Sequence, residues 1–235
     1  MKSAGMEELV MEQFRRNYYQ LLAGGVGFVS RHEIDPLDEV PDLERLGNYY
    51  QAGISALDKA VIIKLNGGLG TGMGMDRAKS LLEVKNGLTF LDIIARQVLH
   101  FRRSYGCRLP LVLMNSAGTR EESCALLERY SGMKGSIPFD FLQHRVPKIE
   151  RESLTPVSWP ADPALEWCPP GHGDMYLALV TSGMLSLLLN EGFEYAFVSN
   201  ADNLGAVMDI GILGYCASRG IPFLMEVADR TEADR

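Results

Sequence analysis

The sequence predicts an α/β fold: a Rossmann-like domain on a mostly parallel, mixed β-sheet, preceded by a small helical element. Short apolar runs at residues 60–65, 109–114, 194–199 and 221–227 indicate buried strands. Between them, apolar residues recur at helical spacing in two stripes, Leu91, Ile94, Val98 and Phe101, and Leu177, Val180, Met184 and Leu187. Strands that alternate with amphipathic helices are typical of a parallel sheet covered on both faces. Such sheets bind ligands at the carboxyl ends of their strands, so functional residues are expected directly after each run.

Residues 1–57 are predicted to be a unit distinct from the α/β domain at residues 58–235. An N-terminal helix is predicted by four apolar residues at helical spacing, Val10, Phe14, Tyr18 and Leu21. Six acidic residues then fall within 33–44 around two prolines, which predicts a solvated connector rather than a partner-binding tail. Further along, residues 147–170 hold six of the eleven prolines and predict a long functional loop.

The composition of the 235-residue chain, with 46% hydrophobic and 23% charged residues, predicts a packed globular core. Its formal net charge of −7 argues against a nucleic-acid-binding protein, which normally presents a basic surface. A phosphate ligand stays compatible with this charge, because backbone amides and one lysine suffice to hold it.

The cysteines and the N-terminus bear on the compartment. No C-x-x-C pair occurs among the four cysteines, so neither a zinc site nor a disulfide framework is expected, and a reduced compartment fits best. The acidic N-terminus lacks the apolar core of a signal peptide, and no run of about 18 apolar residues occurs. We therefore expect a cytoplasmic protein that does not span a membrane.

The first strand run leads into a glycine-rich turn at residues 65–74, with the sequence LNGGLGTGMG. Five glycines within eight residues let the main chain turn sharply and bring its amides against an anion. The P-loop is excluded because Ala78 precedes Lys79, and the G-x-G-x-x-G motif is excluded because methionine stands at its third glycine position. The turn is predicted to be a phosphate and base cradle of another kind, with a flexible linker as the alternative.

This turn, with a lysine five residues after its last glycine, resembles the signature loop of the sugar-nucleotide pyrophosphorylases, and within them the UDP-glucose branch. Members of that family usually carry proline before the lysine, where this chain has Ala78, but Lys79 stays in register. The resemblance implies that Lys79 meets the phosphates of UTP and stabilises charge at the α-phosphorus. A surface lysine is the alternative. The resemblance also implies that the substrate nucleotide is bound by Leu65, Asn66, Gly67 and Gly68.

Two later segments extend the resemblance. The segment FLQHRVPKI resembles the one whose glutamine reads the uracil, which implies this role for Gln143, since an amide offers both a donor and an acceptor. The segment WCPPGHGD resembles one in which Gly171 lies against the uracil and His172 contacts the sugar phosphate. The alternatives are a surface glutamine and a structural histidine. For Asp174 we predict that it caps the helix that follows.

The motif SNADNLG at residues 199–205 comes directly after the third strand run. The resemblance implies that Asp202 binds magnesium and that Asn200, beside Ala201, contacts the glucosyl phosphate. Magnesium usually takes one or two carboxylates together with phosphate oxygens, so one aspartate suffices for a site that forms with UTP. A turn residue is the alternative role for this carboxylate. A last motif at residues 225–234 matches the strand and turn that follow in the family.

The implied reaction is nucleotidyl transfer, in which a phosphate oxygen of glucose 1-phosphate attacks the α-phosphorus of UTP and pyrophosphate leaves. The implied cofactor is Mg²⁺, and the implied products are UDP-glucose and pyrophosphate. The family continues with further strands, a second lysine and a C-terminal β-helix, which implies an α/β domain incomplete at its C-terminus. Two alternatives stay open: a uridine-nucleotide-binding remnant without turnover, and a related pyrophosphorylase that uses another hexose 1-phosphate.

Overall fold

The computed structural model describes residues 1–25, 27–37, 39–70, 77–229 and 231–232. Residues 71–76 of the predicted phosphate cradle, and part of the motif at 225–234, lie outside the described residues. The strands are β1 (Ala60–Asn66), β2 (Glu83–Lys85), β3 (Leu88–Thr89), β4 (Leu111–Asn115), β5 (Asp140–Leu142), β6 (Val146–Pro147), β7 (Trp167–Cys168) and β8 (Tyr195–Asn200). The α-helices are α1 (Glu8–Leu22), α2 (Tyr50–Ala56), α3 (Phe90–Tyr105), α4 (Ala117–Glu128), α5 (Asp174–Thr181), α6 (Met184–Asn190) and α7 (Ile210–Arg219). Short 3₁₀ helices lie at Lys2–Ala4, Arg31–Glu33, Leu43–Tyr49, Leu57–Lys59, Lys79–Leu81 and Pro163–Glu166.

Among the described residues, the central sheet has four strands in the order β5-β4-β1-β8, and each neighbouring pair is parallel. The chain builds outward from β1 through β4 to β5, and then returns to place β8 on the other side of β1. The strand order therefore reverses between β1 and β8, which is the switch point where open α/β sheets bind ligands. The predicted α/β class with a mostly parallel sheet is confirmed.

Helices cover the sheet on both faces. On one face, Ile62 of β1 and Leu113 of β4 pack with buried residues of α3, α4 and α7. On the other face, Ile63 and Met114 pack with buried residues of α5 and α6. The central strands β1 and β4 are buried along almost their whole length, as continuous apolar strands of a parallel sheet should be.

The first predicted helical stripe is confirmed in α3. Leu91, Ile94 and Val98 are buried in the core on one face of the sheet. The helix begins with a capping box, in which Thr89 accepts the main-chain N–H of Asp92 and the Asp92 carboxylate accepts the main-chain N–H of Thr89. Local sequence and packing therefore specify the same helix.

The second predicted stripe does not form one continuous face. Its residues are divided between α5 and α6, which are separated at Gly183, and the φ of 76° at this glycine lies in the left-handed region that ends a helix. The two short helices bury Met184 of the stripe together with side chains outside it. Val180 is 50% exposed, whereas Ala178 and Leu179 pack in the core.

The expected strand at residues 221–227 does not form. Its main chain pairs with no strand of the described part, and Phe223, Met225 and Val227 are 64%, 68% and 66% exposed. An apolar run becomes a strand only where a neighbouring strand meets its main-chain hydrogen bonds, which the run itself does not reveal.

The strand β8 forms as predicted but is not buried on both faces. It is the edge strand beyond β1, and its residues alternate between partial burial and exposure. Tyr195 and Phe197 pack on the core, whereas Ala196, Val198 and Asn200 are exposed. The prediction of a fully buried strand was wrong because edge position is set by the topology.

The predicted N-terminal helix is confirmed as α1. Val10 is buried and Phe14 and Tyr18 are partly buried, while Leu21 is 40% exposed. The described residues of the acidic connector at 33–44 are all exposed, in agreement with a solvated segment.

The helix α2 packs against α7. The main chains of the two helices approach closely at Gly53 and Gly214, where neither glycine leaves room for a side chain. Ala56 and Leu57 join the hydrophobic cluster that also contains Ile62 of β1. The domain boundary at residue 57 stays a prediction.

The proline-rich loop is closed at its base by the antiparallel pair β6–β7. Inside the loop, Ile149 and Pro156 form a further antiparallel bridge. The Tyr18 hydroxyl of α1 donates to the carbonyl oxygen of Leu154 over 2.7 Å, so the N-terminal helix contacts this loop.

All four cysteines carry free thiols. Within the described ranges, no helix is both long and apolar enough to cross a membrane. The same ranges contain no group of three or more His, Cys, Asp or Glu side chains arranged to hold a metal ion.

Candidate active site

The carboxyl ends of β1 and β8 bring the first two predicted segments together. Leu65 lies opposite Asn200 in the strand register, and the Ala201 main-chain N–H donates to the Leu65 carbonyl oxygen over 3.1 Å. Both strands end at the switch point, since they are parallel neighbours. The glycine turn and the SNADNLG motif are therefore adjacent.

Gln143 approaches the glycine turn from the other side. It follows β5, and its main-chain N–H donates to the Asn115 carbonyl oxygen over 2.8 Å. Its side-chain Oε1 would lie 2.3 Å from a Cβ atom on Gly67, so this approach requires glycine. Among the described residues, the Gln143 side-chain amide has no hydrogen-bond partner. Its donor and acceptor groups are thus available to a ligand such as a base edge.

Lys79 lies where the glycine turn closes on itself. Leu69 and Ala78 form an antiparallel bridge, and the Lys79 main-chain N–H donates to the Gly68 carbonyl oxygen over 3.1 Å. The Lys79 side chain runs along the turn, with Cδ 3.9 Å from the position of a Cβ on Gly68. Its ammonium group forms no ion pair or hydrogen bond with any residue the structure describes. A cation is therefore placed beside the predicted phosphate cradle.

Ala78 stands where the family pattern has proline. Its φ of −57° lies within the range that a proline ring imposes. The side chain is buried, with 1% exposure. The departure from the pattern therefore leaves the main chain on a path that proline would also take, and Lys79 keeps its place.

The segment after β8 presents two polar side chains at the edge of the sheet. Ala201 is buried and anchors the turn, whereas Asn200 and Asp202 are exposed. Neither the Asn200 amide nor the Asp202 carboxylate contacts a hydrogen-bond partner among the described residues. This arrangement leaves both groups free to bind a phosphate or a cation.

The chemistry at Asp202 fits a divalent cation. Mg²⁺ prefers oxygen ligands and commonly binds one or two carboxylates, with phosphate oxygens and waters completing its coordination. Asp202 offers one carboxylate that makes no hydrogen bond or ion pair in the described part of the chain. The donor set fits a cation whose remaining ligands come from a bound polyphosphate.

Gly171 and His172 precede α5 in a tight turn. The φ of 105° at Gly171 is one that side-chain-bearing residues rarely adopt, which explains glycine at this position. The Gly171 carbonyl oxygen accepts the Asp174 main-chain N–H over 3.2 Å, and the His172 carbonyl accepts that of Met175 over 3.1 Å. The His172 ring is exposed and has no hydrogen-bond partner in the described ranges.

The predicted capping role of Asp174 is wrong. Asp174 is the first residue of α5, and its side chain, 3% exposed, makes no bond to the amides of its own helix. The carboxylate instead accepts the main-chain N–H of His144 over 2.7 Å and lies 2.8 Å from His144 Nδ1. The partner is distant in sequence, so local motif reasoning did not reveal it.

Asn66 differs from the other polar residues predicted for the site because its side chain is buried. Its Nδ2 donates to Asn115 Oδ1 over 2.7 Å and to Ser123 Oγ over 2.9 Å. Asn115 donates in turn to Asp140, which also pairs with Arg120. This network fixes the ends of β1 and β4 beneath the glycine turn. Any contact of Asn66 with a ligand is left to its main chain.

Lys64 of β1 is a buried cation that the motif search did not single out. It is 3% exposed, and its Nζ donates to Ser199 Oγ over 2.6 Å and to the Ala206 carbonyl oxygen over 2.9 Å. Burial lowers the pKa of Lys64 to about 8. The side chain joins β1 to the segment that carries Asp202. The sequence signal that could have identified this residue is a lysine within an otherwise apolar strand run.

The sequence of this chain is similar to those of known proteins. A family model described as UTP–glucose-1-phosphate uridylyltransferase matches residues 11–235. A probable UTP–glucose-1-phosphate uridylyltransferase of Schizosaccharomyces pombe is 46% identical over 179 residues, which are 76% of this chain and 35% of that protein. The uridylyltransferase of Saccharomyces cerevisiae is 42% identical over 198 residues, 84% of this chain and 39% of that protein. The chain therefore spans less than two fifths of the length of these curated relatives.

Solved structures show the same fold over the whole chain. A crystal structure of UDP-glucose phosphorylase from Trypanosoma brucei matches with a TM-score of 0.86 and 41% identity, covering 100% of this chain and 50% of that one. A variant of UDP-glucose pyrophosphorylase from Leishmania major, in complex with UDP-glucose, matches with a TM-score of 0.88 and 40% identity over 100% of this chain and 49% of that one.

Proposed function

The chain belongs to the UTP–glucose-1-phosphate uridylyltransferase family, and we propose that its site forms UDP-glucose and pyrophosphate from UTP and glucose 1-phosphate. The observation that carries this proposal is the contact of Gln143 with the glycine turn at the switch point of the sheet. That contact puts a free amide, suited to a base, beside main chain suited to phosphates.

The nucleotide would lie across the glycine turn. Gln143 would read the uracil with its free amide, and Gly171 would lie against the same base in its left-handed turn. Leu65, Gly67 and Gly68 would contact the nucleotide through the main chain, because the two glycines present no side chain to obstruct it. The Leishmania major relative was solved with UDP-glucose, a ligand of the class proposed here.

The reaction would need no side-chain nucleophile. A phosphate oxygen of glucose 1-phosphate forms a bond to the α-phosphorus of UTP, the bond from that phosphorus to the β-bridging oxygen breaks, and pyrophosphate leaves. Lys79 would stabilise the charge that develops on the phosphates, since its side chain passes beside Gly68 of the turn. His172 and Asn200 would orient the sugar phosphate with their free polar groups.

A divalent cation, which we propose to be Mg²⁺, would be held by Asp202 together with phosphate oxygens of UTP. When bound, it supplies charge neutralisation for the triphosphate. Asp202 would hold the cation from a fixed position, because the neighbouring Ala201 is buried and its main-chain N–H donates to the Leu65 carbonyl oxygen.

Nucleotide binding is the direct test on this chain. In calorimetry, UTP should bind measurably tighter than ATP, and Gln143→Ala should reduce UTP affinity by about 1–3 kcal/mol, because base groups lose their partners. Equal affinity of the variant and the parent for UTP would show that Gln143 does not bind the base.

Turnover requires a separate test because the curated relatives are much longer than this chain. Pyrophosphate release should be followed with UTP and a panel of hexose 1-phosphates, beside a chain extended by the remainder of a family-like sequence. We expect glucose 1-phosphate to give the highest rate, and the extended chain to exceed residues 1–235. If UTP binds but neither chain releases pyrophosphate, the protein is a nucleotide-binding remnant. A higher rate with another hexose 1-phosphate would identify a related pyrophosphorylase.

A further inference from the structure

We propose that Asp174 and His144 are positioning residues that set UTP affinity by holding Gln143 in place. This inference rests on the proposed function, since it assigns Gln143 to the uracil. The two residues are 30 positions apart in the chain and meet through a buried carboxylate. Neither residue need contact the nucleotide to have this effect.

The geometry of the pair is specific. Both Asp174 oxygens are used by one residue: Oδ2 accepts the His144 main-chain N–H over 2.7 Å, and Oδ1 lies 2.8 Å from Nδ1. A carboxylate oxygen accepts hydrogen bonds, so the ring nitrogen is the donor in this contact. The other ring nitrogen, Nε2, lies 2.9 Å from the Thr181 hydroxyl, on the same helix. The imidazole is therefore held at both ends by α5.

The bond to the main chain of His144 acts directly on Gln143. The Gln143 N–H is fixed by the Asn115 carbonyl oxygen, and the next N–H along the chain is fixed by Asp174. The main chain on both sides of the Gln143 Cα is thus restrained, while its side-chain amide is left free over Gly67. Such restraint lowers the entropy that a flexible side chain loses when it binds a ligand.

The same pair also connects two parts of the proposed uracil site. Asp174 begins α5 immediately after the turn that contains Gly171, and its N–H donates to the Gly171 carbonyl oxygen. The pair therefore fixes the separation between Gln143 and Gly171. A small change in this separation is costly for binding because hydrogen bonds weaken steeply with poor geometry.

A purely structural role explains the contacts less well. A carboxylate in the first turn of a helix usually bonds to the amides of that helix, as Asp92 does for Thr89 at the start of α3. Asp174 makes no such bond, although its side chain is buried. A buried carboxylate whose two oxygens are both hydrogen-bonded by one distant residue makes the main chain around that residue rigid, which suits a residue that orients another.

A double-mutant cycle tests the proposal. UTP affinity is measured by calorimetry for the parent, Asp174→Asn, Gln143→Ala and the double variant. We expect Asp174→Asn to weaken UTP binding about tenfold in the parent. In the Gln143→Ala background the same change should have less than about a twofold effect, because coupled residues are not additive. Additive effects in the two backgrounds, or an unchanged affinity in Asp174→Asn, would overturn the positioning role.

Two further variants separate positioning from folding. Asp92→Asn makes the same chemical change in the first turn of α3, so it should lower stability while leaving UTP affinity unchanged. If Asp174→Asn does not fold, His144→Ala and His144→Asn replace it in the cycle. His144→Asn keeps a donor near the position of Nδ1 and should retain most of the UTP affinity that His144→Ala loses. A parent chain that binds no UTP would overturn the proposed function itself, an outcome distinct from a parent that binds UTP with no coupling to Asp174.

Discussion

The Gln143 side chain occupies the space that a Cβ atom on Gly67 would need, with Oε1 2.3 Å from that position. We expect Gly67→Ala to displace the glutamine and weaken UTP binding by about 1–3 kcal/mol, since the base loses its partner. The free energy of unfolding should change little, because the displaced atoms are the end of a flexible side chain. Calorimetry with UTP and a thermal melt measure the two quantities.

Gly47→Ala is the matched control for this substitution, because no atom of the residues the structure describes lies within 4 Å of the position of its Cβ. It should leave both UTP affinity and stability close to those of the parent. Unchanged UTP affinity in a folded Gly67→Ala protein would show that Gln143 does not act from its present position.

Sequence reasoning placed the candidate site residues at one edge of the sheet wherever the signal was local. The glycine turn and the SNADNLG motif each follow a strand, and parallel strands bring their carboxyl ends to one edge. This sufficed to predict that Gly67 and Asp202 share an edge. The contact of Gln143 with Gly67 required the fold, since β5 and β1 are not neighbours in the sheet.

Two of the failures share a physical cause, which is a hydrogen-bond partner distant in sequence. Asp174 was assigned to its own helix because a carboxylate at a helix start usually caps it, but His144 competes successfully for both oxygens. The run at residues 221–227 has the composition of a strand but no pairing partner among the described residues. Periodicity also did not reveal that Gly183 interrupts a helical stripe.

Asp202→Asn should reduce pyrophosphate release on the order of a hundred- to a thousandfold in a chain that shows turnover. The substitution keeps the size of the side chain but removes the charge that would hold the cation. Stability should stay within error of the parent, since Asp202 is exposed and its side chain makes no hydrogen bond or ion pair with the described residues. The measurement is a coupled assay over a series of Mg²⁺ concentrations.

The control for this prediction is Asp209→Asn, which changes a carboxylate that caps α7 by accepting the Ile212 main-chain N–H. Asparagine caps helices about as well as aspartate, so turnover should be retained. Magnesium-dependent turnover at the parent rate in Asp202→Asn would place the cation at another group.

Lys64 should make stability depend on alkaline pH. Its pKa is lowered from 10.5 to about 8 by burial, so the folded state disfavours the charged form. Between these values the unfolded chain binds the proton and the folded chain does not, and stability therefore rises as pH rises from about 8 to 10.5. The pKa difference between 10.5 and about 8 corresponds to a gain of roughly 3 kcal/mol in the free energy of unfolding across this interval.

Denaturant melts of the parent and Lys64→Met at several pH values check this expectation. The parent should gain stability relative to the variant across that interval, while other titrating groups cancel in the difference. Lys59→Met is the contrasting control, because Lys59 is exposed and its pKa is raised by its hydrogen bond and ion pair with Glu194. A parent–variant difference for Lys64→Met that is flat with pH would show that this lysine is charged in the folded state throughout.

The close crossing of α2 and α7 yields the last prediction. A Cβ on Gly214 would lie 2.0 Å from the Tyr49 carbonyl oxygen and 2.6 Å from the Gly53 main-chain nitrogen. Alanine in a helix interior normally gains up to about 1 kcal/mol over glycine. Here the obstructing atoms belong to the main chain, so the two helices must separate and overpacking should dominate, at about 1–3 kcal/mol of lost stability.

We therefore expect Gly214→Ala to lower Tm by roughly 2–12 °C in a chain of this size. Gly205→Ala should leave Tm unchanged, because its Cβ would meet Asn203 Oδ1 at an ordinary 3.5 Å. The shape of the transition also bears on the predicted boundary at residue 57. A single cooperative transition that moves with Gly214→Ala would join α2 to the α/β domain in one folding unit, since α7 belongs to that domain. A separate low-temperature step that alone responds to the substitution would instead support residues 1–57 as a unit of their own.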